Sequence, residues 1–198
     1  ESEAEMFIES IDLAYKTLKD HDSEAQMSTV LHVGEDLQVP YNGEEYIYYL
    51  LAQFANPEIT PWVHTVMFYN LYDSAGGAYH HEYFADHREL IESKLANGEP
   101  VAYFPESAYW VAFDNSVPQF LPIYVHSRWK DMHNLTELDE HILFSSGWEW
   151  GYWLNDVMTL RMNWSVPDSY ASMIEDLLQP IGDPSLSSAL IDLALIQH

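Results

Sequence analysis

The 198-residue chain predicts an α/β fold with a parallel sheet and a C-terminal helical hairpin, on three observations. Short apolar runs recur along it, and most are continuous rather than alternating, as in strands covered on both faces. Segments with helical spacing lie between several of these runs, and that alternation implies parallel strands joined by helical crossovers. Near the end, two helical patterns flank Pro180-Ile181-Gly182-Asp183-Pro184, which no helix can span unbroken.

In chain order, residues 6–18 carry an apolar stripe through Met6, Ile8 or Ile11, Leu13 or Ala14, and Leu18, the spacing of a helix. Residues 27–33 read as the first strand, ending in Gly34-Glu35-Asp36. Residues 44–54, after Asn42-Gly43, read as a helix. Residues 62–72 form the second strand, closed by Asp73 and Ser74-Ala75-Gly76-Gly77. A helix over residues 81–95 places Phe84, Leu90, Ile91 and Leu95 inward and stops at Asn97-Gly98, a C-terminal signal. Residues 100–104 are the third strand, before Pro105-Glu106-Ser107. Residues 120–125 are the fourth, before His126-Ser127-Arg128. The link from Glu106 to Phe120 is too short and aromatic for a full crossover helix. Residues 142–144 are the fifth strand, and Ser145 or Ser146 caps a helix over residues 148–162. Residues 169–178 and 186–196 complete the chain as the helical hairpin.

Length fits a single domain, residues 1–198 with a helical tail from 165, and no linker or repeat divides it. Charge narrows the partners. Thirty-two Asp and Glu against seven Lys and Arg give −25, a field that repels phosphate backbones and anionic membranes. Nucleic acid and membrane are therefore not expected partners, and no apolar run approaches the ~20 residues that cross a bilayer. The acidic start shows no signal peptide. With no cysteine, disulfides, thiolate metal sites and cysteine nucleophiles are excluded. Seven Trp and 14 Tyr supply rings of the kind that stack on sugars. Asn134-Leu135-Thr136 and Asn163-Trp164-Ser165 match the glycosylation pattern, a match common by chance.

Each predicted strand ends in an ionisable or polar group: Glu35 and Asp36, Asp73, Glu106, His126 and Arg128, then Glu149. Parallel α/β folds gather such ends on one face. Glu149 lies between Trp148 and Trp150, where the last strand hands over to a helix whose dipole would hold it ionised. Glu106 lies between Phe104-Pro105 and Tyr109-Trp110, apolar company that would raise its pKa. Two carboxyls in these states are what glycoside hydrolysis requires.

The pattern over about residues 27–162 resembles the second half of a glycosidase-type (β/α)8 barrel, at the level of the fold. That resemblance implies a barrel-like or partial TIM barrel and a hydrolase of glycosidic bonds. No cofactor or metal is expected, and the sequence does not give the localisation, with a secreted or periplasmic setting favoured over a cytoplasmic one. Glu106 would be the general acid and Glu149 the nucleophile or base. Asp73, His80, His126 and Arg128 would position an oligosaccharide or small-molecule ligand, with Tyr109, Trp110, Trp148 and Trp150 stacking on it. Five strands fall short of the eight of a closed barrel, so the chain reads either as part of a larger protein with an N-terminal half missing or as an open, doubly wound sheet, and an oligomer is a further expectation. Two alternatives stand beside this reading. One is a non-catalytic sugar- or peptide-binding module. The other is a metal-assisted hydrolase using His80, His81, His87 or His126, although the run His80 to Glu89 lacks the paired-His spacing of the helix zinc motif. Asp73-Ser74-Ala75-Gly76-Gly77 lacks the lysine and glycine spacing of a phosphate loop and reads as a substrate loop. No serine has the context of a nucleophile elbow.

Overall fold

The computed structural model describes residues 2–34, 36–106, 121–138, 140–144 and 149–197, with 149–152 described through their backbone. The chain forms two compact units. The first comprises Glu1–Thr65, Leu71–Phe104 and Glu137–His141; the second comprises Val66–Asn70, Pro105–Thr136 and Ile142–His198.

The first unit carries the parallel sheet that the continuous apolar runs predict. Its strands are β1 (Ser28–Leu31), β4 (Thr60–Thr65), β5 (Ala102–Pro105) and β6 (Glu140–His141), in spatial order β1-β4-β5-β6. Leu31 pairs with Val63, and Ala102 with Glu140. Successive strand residues point to opposite faces. Ala102 and Tyr103 are both fully buried, so β5 is covered on both sides. Helix α1 (Ser2–His21) places Ala4, Ile8 and Tyr15 against Val39, Leu51, Ala55 and Ile59, forming a core beside the sheet. The Asp12 carboxylate also accepts the Asn56 N–H at 2.7 Å, which fixes the helix against the segment before β4. Helix α2 (Ala85–Ala96) packs on β4.

The second unit is helical: α3 (Ile123–Asn134), α4 (Glu149–Trp164), α5 (Tyr170–Leu178) and α6 (Pro184–Gln197). The expected C-terminal hairpin is present. The Ser169 hydroxyl caps α5 by accepting the Ser172 N–H at 3.1 Å. Gly182, at φ 73°, then turns the chain, and Pro184 opens α6 with its preset φ. The Gln197 side chain accepts the Ile123 N–H at 3.1 Å, joining α6 to the start of α3.

Several sequence expectations are corrected. Residues 44–54 are not one α-helix: residues 44–47 are a strand and Tyr48–Phe54 a seven-residue 3₁₀ helix. Asn42 and Gly43, at φ 53° and 86°, form a two-residue hairpin turn joining β2 (Gln38–Tyr41) to β3 (Glu44–Ile47). Residues 120–125 are not a strand. Pro122 precedes α3, whose buried positions Ile123, Tyr124, Ser127, Arg128, Asp131 and Met132 follow a period near 3.6; a short apolar run alone does not separate the two readings. His126 and Arg128 therefore lie within a helix, not at a strand end. The second strand stops at Thr65, because Met67 turns at φ 53°. Residues 142–144 contribute one bridge, Phe144 to Glu106, beyond the two residues of β6.

Helix α2 begins four residues later than expected. Tyr79 and His80, both left-handed at φ 52° and 68°, form a tight turn bridged by Ala78 and His81 before it. Among the described residues no helix is long and apolar enough to cross a membrane.

Candidate functional site

Glu106 follows β5 directly, bridges in parallel to Phe144 and is 5% exposed, within the second unit. A buried carboxylate needs donors. Met67 supplies one: its backbone N–H donates to Glu106 Oε2 at 2.5 Å. Met67 occupies the second position of a turn closed by the Tyr69 N–H to the Val66 carbonyl at 3.3 Å. A left-handed φ on a residue with a Cβ costs on the order of 1–2 kcal/mol. A hydrogen bond to a charged group contributes about 1.5–3 kcal/mol. The bond to Glu106 is therefore large enough to hold Met67 in this conformation.

Arg128 holds the other end of the same turn. One end of its guanidinium, Nη2, donates to the Tyr69 carbonyl; the other, Nη1, faces Asp131 Oδ2 at 3.7 Å, one helical turn along. Both side chains are buried, Arg128 at 1% exposure and Asp131 at 0%. Arg128 thus serves an internal backbone contact and an ion pair, and it does not present a free guanidinium to a ligand. The Phe68 and Tyr69 rings lie tilted against each other with centroids 4.6 Å apart and remain half-buried, so the turn keeps some aromatic surface open.

The other predicted site residues fall in different places. His126 is half-buried and meets the Tyr170 ring edge-on at 5.1 Å; burial pushes the Tyr170 phenol above its ordinary value. Trp129, its neighbour in α3, donates its indole N–H to the Pro167 carbonyl at 2.9 Å. Asp73 and His80 belong to the first unit, Asp73 half-buried in the loop after β4 and His80 exposed at the tip of its turn. Glu149 and Trp150 open α4 as expected, while their side chains lie outside what is described. Tyr109, Trp110 and Trp148, and the capping serines 145 and 146, also lie outside the described residues. Of the predicted residues, Glu106 and Arg128 are brought to one element, the turn Val66–Asn70.

Sequence reasoning named His81 and His87 in the first unit but missed His32 and His64. His32 follows β1, and the pairing of Leu31 with Val63 carries it beside His64 of β4, with ring centroids 5.1 Å apart. His32 is exposed, and its Nδ1 lies 2.8 Å from the Val33 carbonyl, a contact that calls for the proton on Nδ1. Two residues on, the Gly34 N–H donates to Nε2 of buried His81 at 3.4 Å. Gly34 sits at φ 136°, and a Cβ there would lie 3.3 Å from the Tyr49 ring. His81 in turn meets His87, which has no exposure. Burial first, then the charge of His81, lowers the His87 pKa to about 4, against a smaller opposing effect of the His32 carbonyl. The sequence signal was the recurrence of Leu-His and Val-His at the ends of two apolar runs, legible only once their register is known. At neutral pH buried His87 is an uncharged base. Among the described residues no three His, Asp or Glu side chains are placed to hold a metal ion, so the metal-assisted alternative has no ligand set there.

A cleft of about 450 Å³ in the first unit has Ile47, Leu50 and Leu90 among its apolar lining and Glu44, Asp86 and Glu89 among its acids. Comparison with protein-family models, with curated proteins and with solved structures gives no match.

Proposed function

We propose that the protein is a carbohydrate-active hydrolase that cleaves glycosidic bonds with a carboxyl pair, Glu106 and Glu149. The single observation that carries the reading is Glu106 itself: a buried carboxylate at the C-terminal end of a parallel strand, bonded by an amide held in a left-handed turn. Strand ends of this kind are where parallel α/β folds keep reacting groups. The order β1-β4-β5-β6 follows the chain without reversal, which favours a barrel-like or partial TIM-barrel winding over a doubly wound sheet with a switch point. Glu149 opens α4 five residues after Phe144, the residue that bridges to Glu106.

We propose a division of roles opposite to that expected from sequence. A helix N-terminus stabilises an ionised acid by about 0.3–1 kcal/mol, and a direct charge-assisted hydrogen bond by about 1.5–3 kcal/mol. When two carboxyls share a site only one keeps its charge readily. In this division Glu106 is the nucleophile or base, and Glu149 the general acid. The half-buried rings of Phe68 and Tyr69 offer a stacking surface beside Glu106. Asp73, His80, His126, Tyr109, Trp110, Trp148 and Trp150 remain proposed ligand contacts; Arg128 acts behind the turn.

Chemical rescue tests the division. Glu106→Ala and Glu149→Ala are assayed on aryl glycosides with and without azide. Azide restores turnover of Glu106→Ala with formation of a glycosyl azide, while Glu149→Ala keeps turnover only of substrates whose leaving group needs no proton. Full hydrolysis by both variants on every accepted substrate rules the pair out, and saturable sugar binding with no turnover by the unaltered protein establishes a binding module instead.

A further inference from the structure

We propose that Arg128 is the positioning residue of Glu106, acting through the turn Val66–Asn70: it grips the Tyr69 carbonyl so that the Met67 amide is aimed at the Glu106 carboxylate. The contacts form one chain, from Asp131 to Arg128 across α3, from Arg128 to Tyr69, and from Met67 to Glu106. Asp131 lies one helical turn from Arg128 and fixes the guanidinium before the turn docks on it. A guanidinium has two ends, one for Asp131 and one for the carbonyl, an arrangement an ammonium does not reproduce. The turn needs such a hold, because Met67 sits at φ 53° where a residue with a side chain is disfavoured. Only Phe68 separates the two gripped residues, so displacement at Tyr69 carries to an amide bonded at 2.5 Å.

Arg128 is one of three arginines in a chain with 32 acids, and yet one end of its buried guanidinium is committed to a main-chain carbonyl. An ion pair that served packing alone would leave Met67 indifferent to Arg128. The catalytic meaning of the hold rests on the hydrolase reading above, whereas the hold itself does not.

The test follows the Met67 amide in the full-length protein labelled with ¹⁵N at its seven methionines, with Met67→Leu identifying the signal. The amide proton is expected far downfield, and Glu106→Gln is expected to move it upfield. Arg128→Lys, which keeps a charge beside Asp131, is expected to move it the same way and to speed Met67 hydrogen exchange at least about tenfold, while Met27 and Met173 keep theirs. Arg128→Met extends the test where it folds. A folded Arg128→Lys with Met67 shift and exchange unchanged, or with all protected methionine amides accelerated alike, overturns the proposal. Glycoside hydrolysis by the same samples separates the two claims. A Met67 response without any hydrolysis by the unaltered protein keeps the hold and removes the reading. Hydrolysis with an indifferent Met67 does the reverse.

Discussion

The rings of His81 and His87 meet edge to face, with centroids 5.3 Å apart, and His87 has no exposed surface. Buried beside a second imidazole, His87 is held neutral, with its pKa lowered from 6.5 to about 4. The unfolded chain therefore binds a proton between about pH 6.5 and 4 that the folded chain does not. By linkage, this contribution is fully present above pH 6.5 and is lost as pH falls toward 4, a total of about 3 kcal/mol. Urea denaturation at pH 7 and pH 4.5 measures it. His87→Phe is expected to lose less stability than the unaltered protein over that interval, and an equal loss in both contradicts the assignment.

Gly34 carries a prediction of a different kind. Its φ of 136° is one that a residue with a Cβ rarely adopts, and an added Cβ would lie 3.3 Å from the Tyr49 ring, which would have to give way by a few tenths of an ångström. Gly34→Ala is expected to cost about 1–3 kcal/mol. At about 2–4 °C per kcal/mol for a chain of this size, the melting temperature should fall by several degrees. The same change displaces the N–H that His81 accepts, so the His81 ring resonances should move as well. An unchanged melting temperature contradicts the close approach.

Much of the fold is legible in the sequence, for identifiable reasons. The strands at β1 and β5 and the helices α1, α2, α4, α5 and α6 announce themselves because apolar periodicity and breakers agree there. Residues 44–54 misled because Asn42-Gly43, a hairpin turn, precedes a stretch whose spacing also suits a helix. Residues 120–125 misled because six residues with an apolar majority carry no period, and Pro122 decided the matter. Glu106 was legible as a strand-end acid, but its donor, the Met67 amide, was not, since nothing in the string Val66-Met67-Phe68-Tyr69 marks a left-handed turn on a methionine. The pairing of His32 with His64 depended on strand register, which a single sequence does not contain.

The charge of −25 predicts how salt acts. Like charges repel more strongly in the compact state than in the open chain, and screening relieves this. The melting temperature should rise between about 0.01 M and 0.5 M sodium chloride, over which the screening length falls from about 30 Å to a few Å. A decrease across that range would mean that favourable ion pairs, such as Lys94 with Glu99 at 2.5 Å, outweigh the general repulsion.

The most direct measurement of the central claim is kcat/KM of the full-length protein and of Glu106→Gln on a panel of aryl glycosides. Removing a charge-bearing carboxylate from the pair should lower kcat/KM by about 10²–10⁴-fold on each glycoside the unaltered protein accepts, with the folded state retained. Near-equal rates in the two proteins, or no hydrolysis of any glycoside by the unaltered one, would contradict the account.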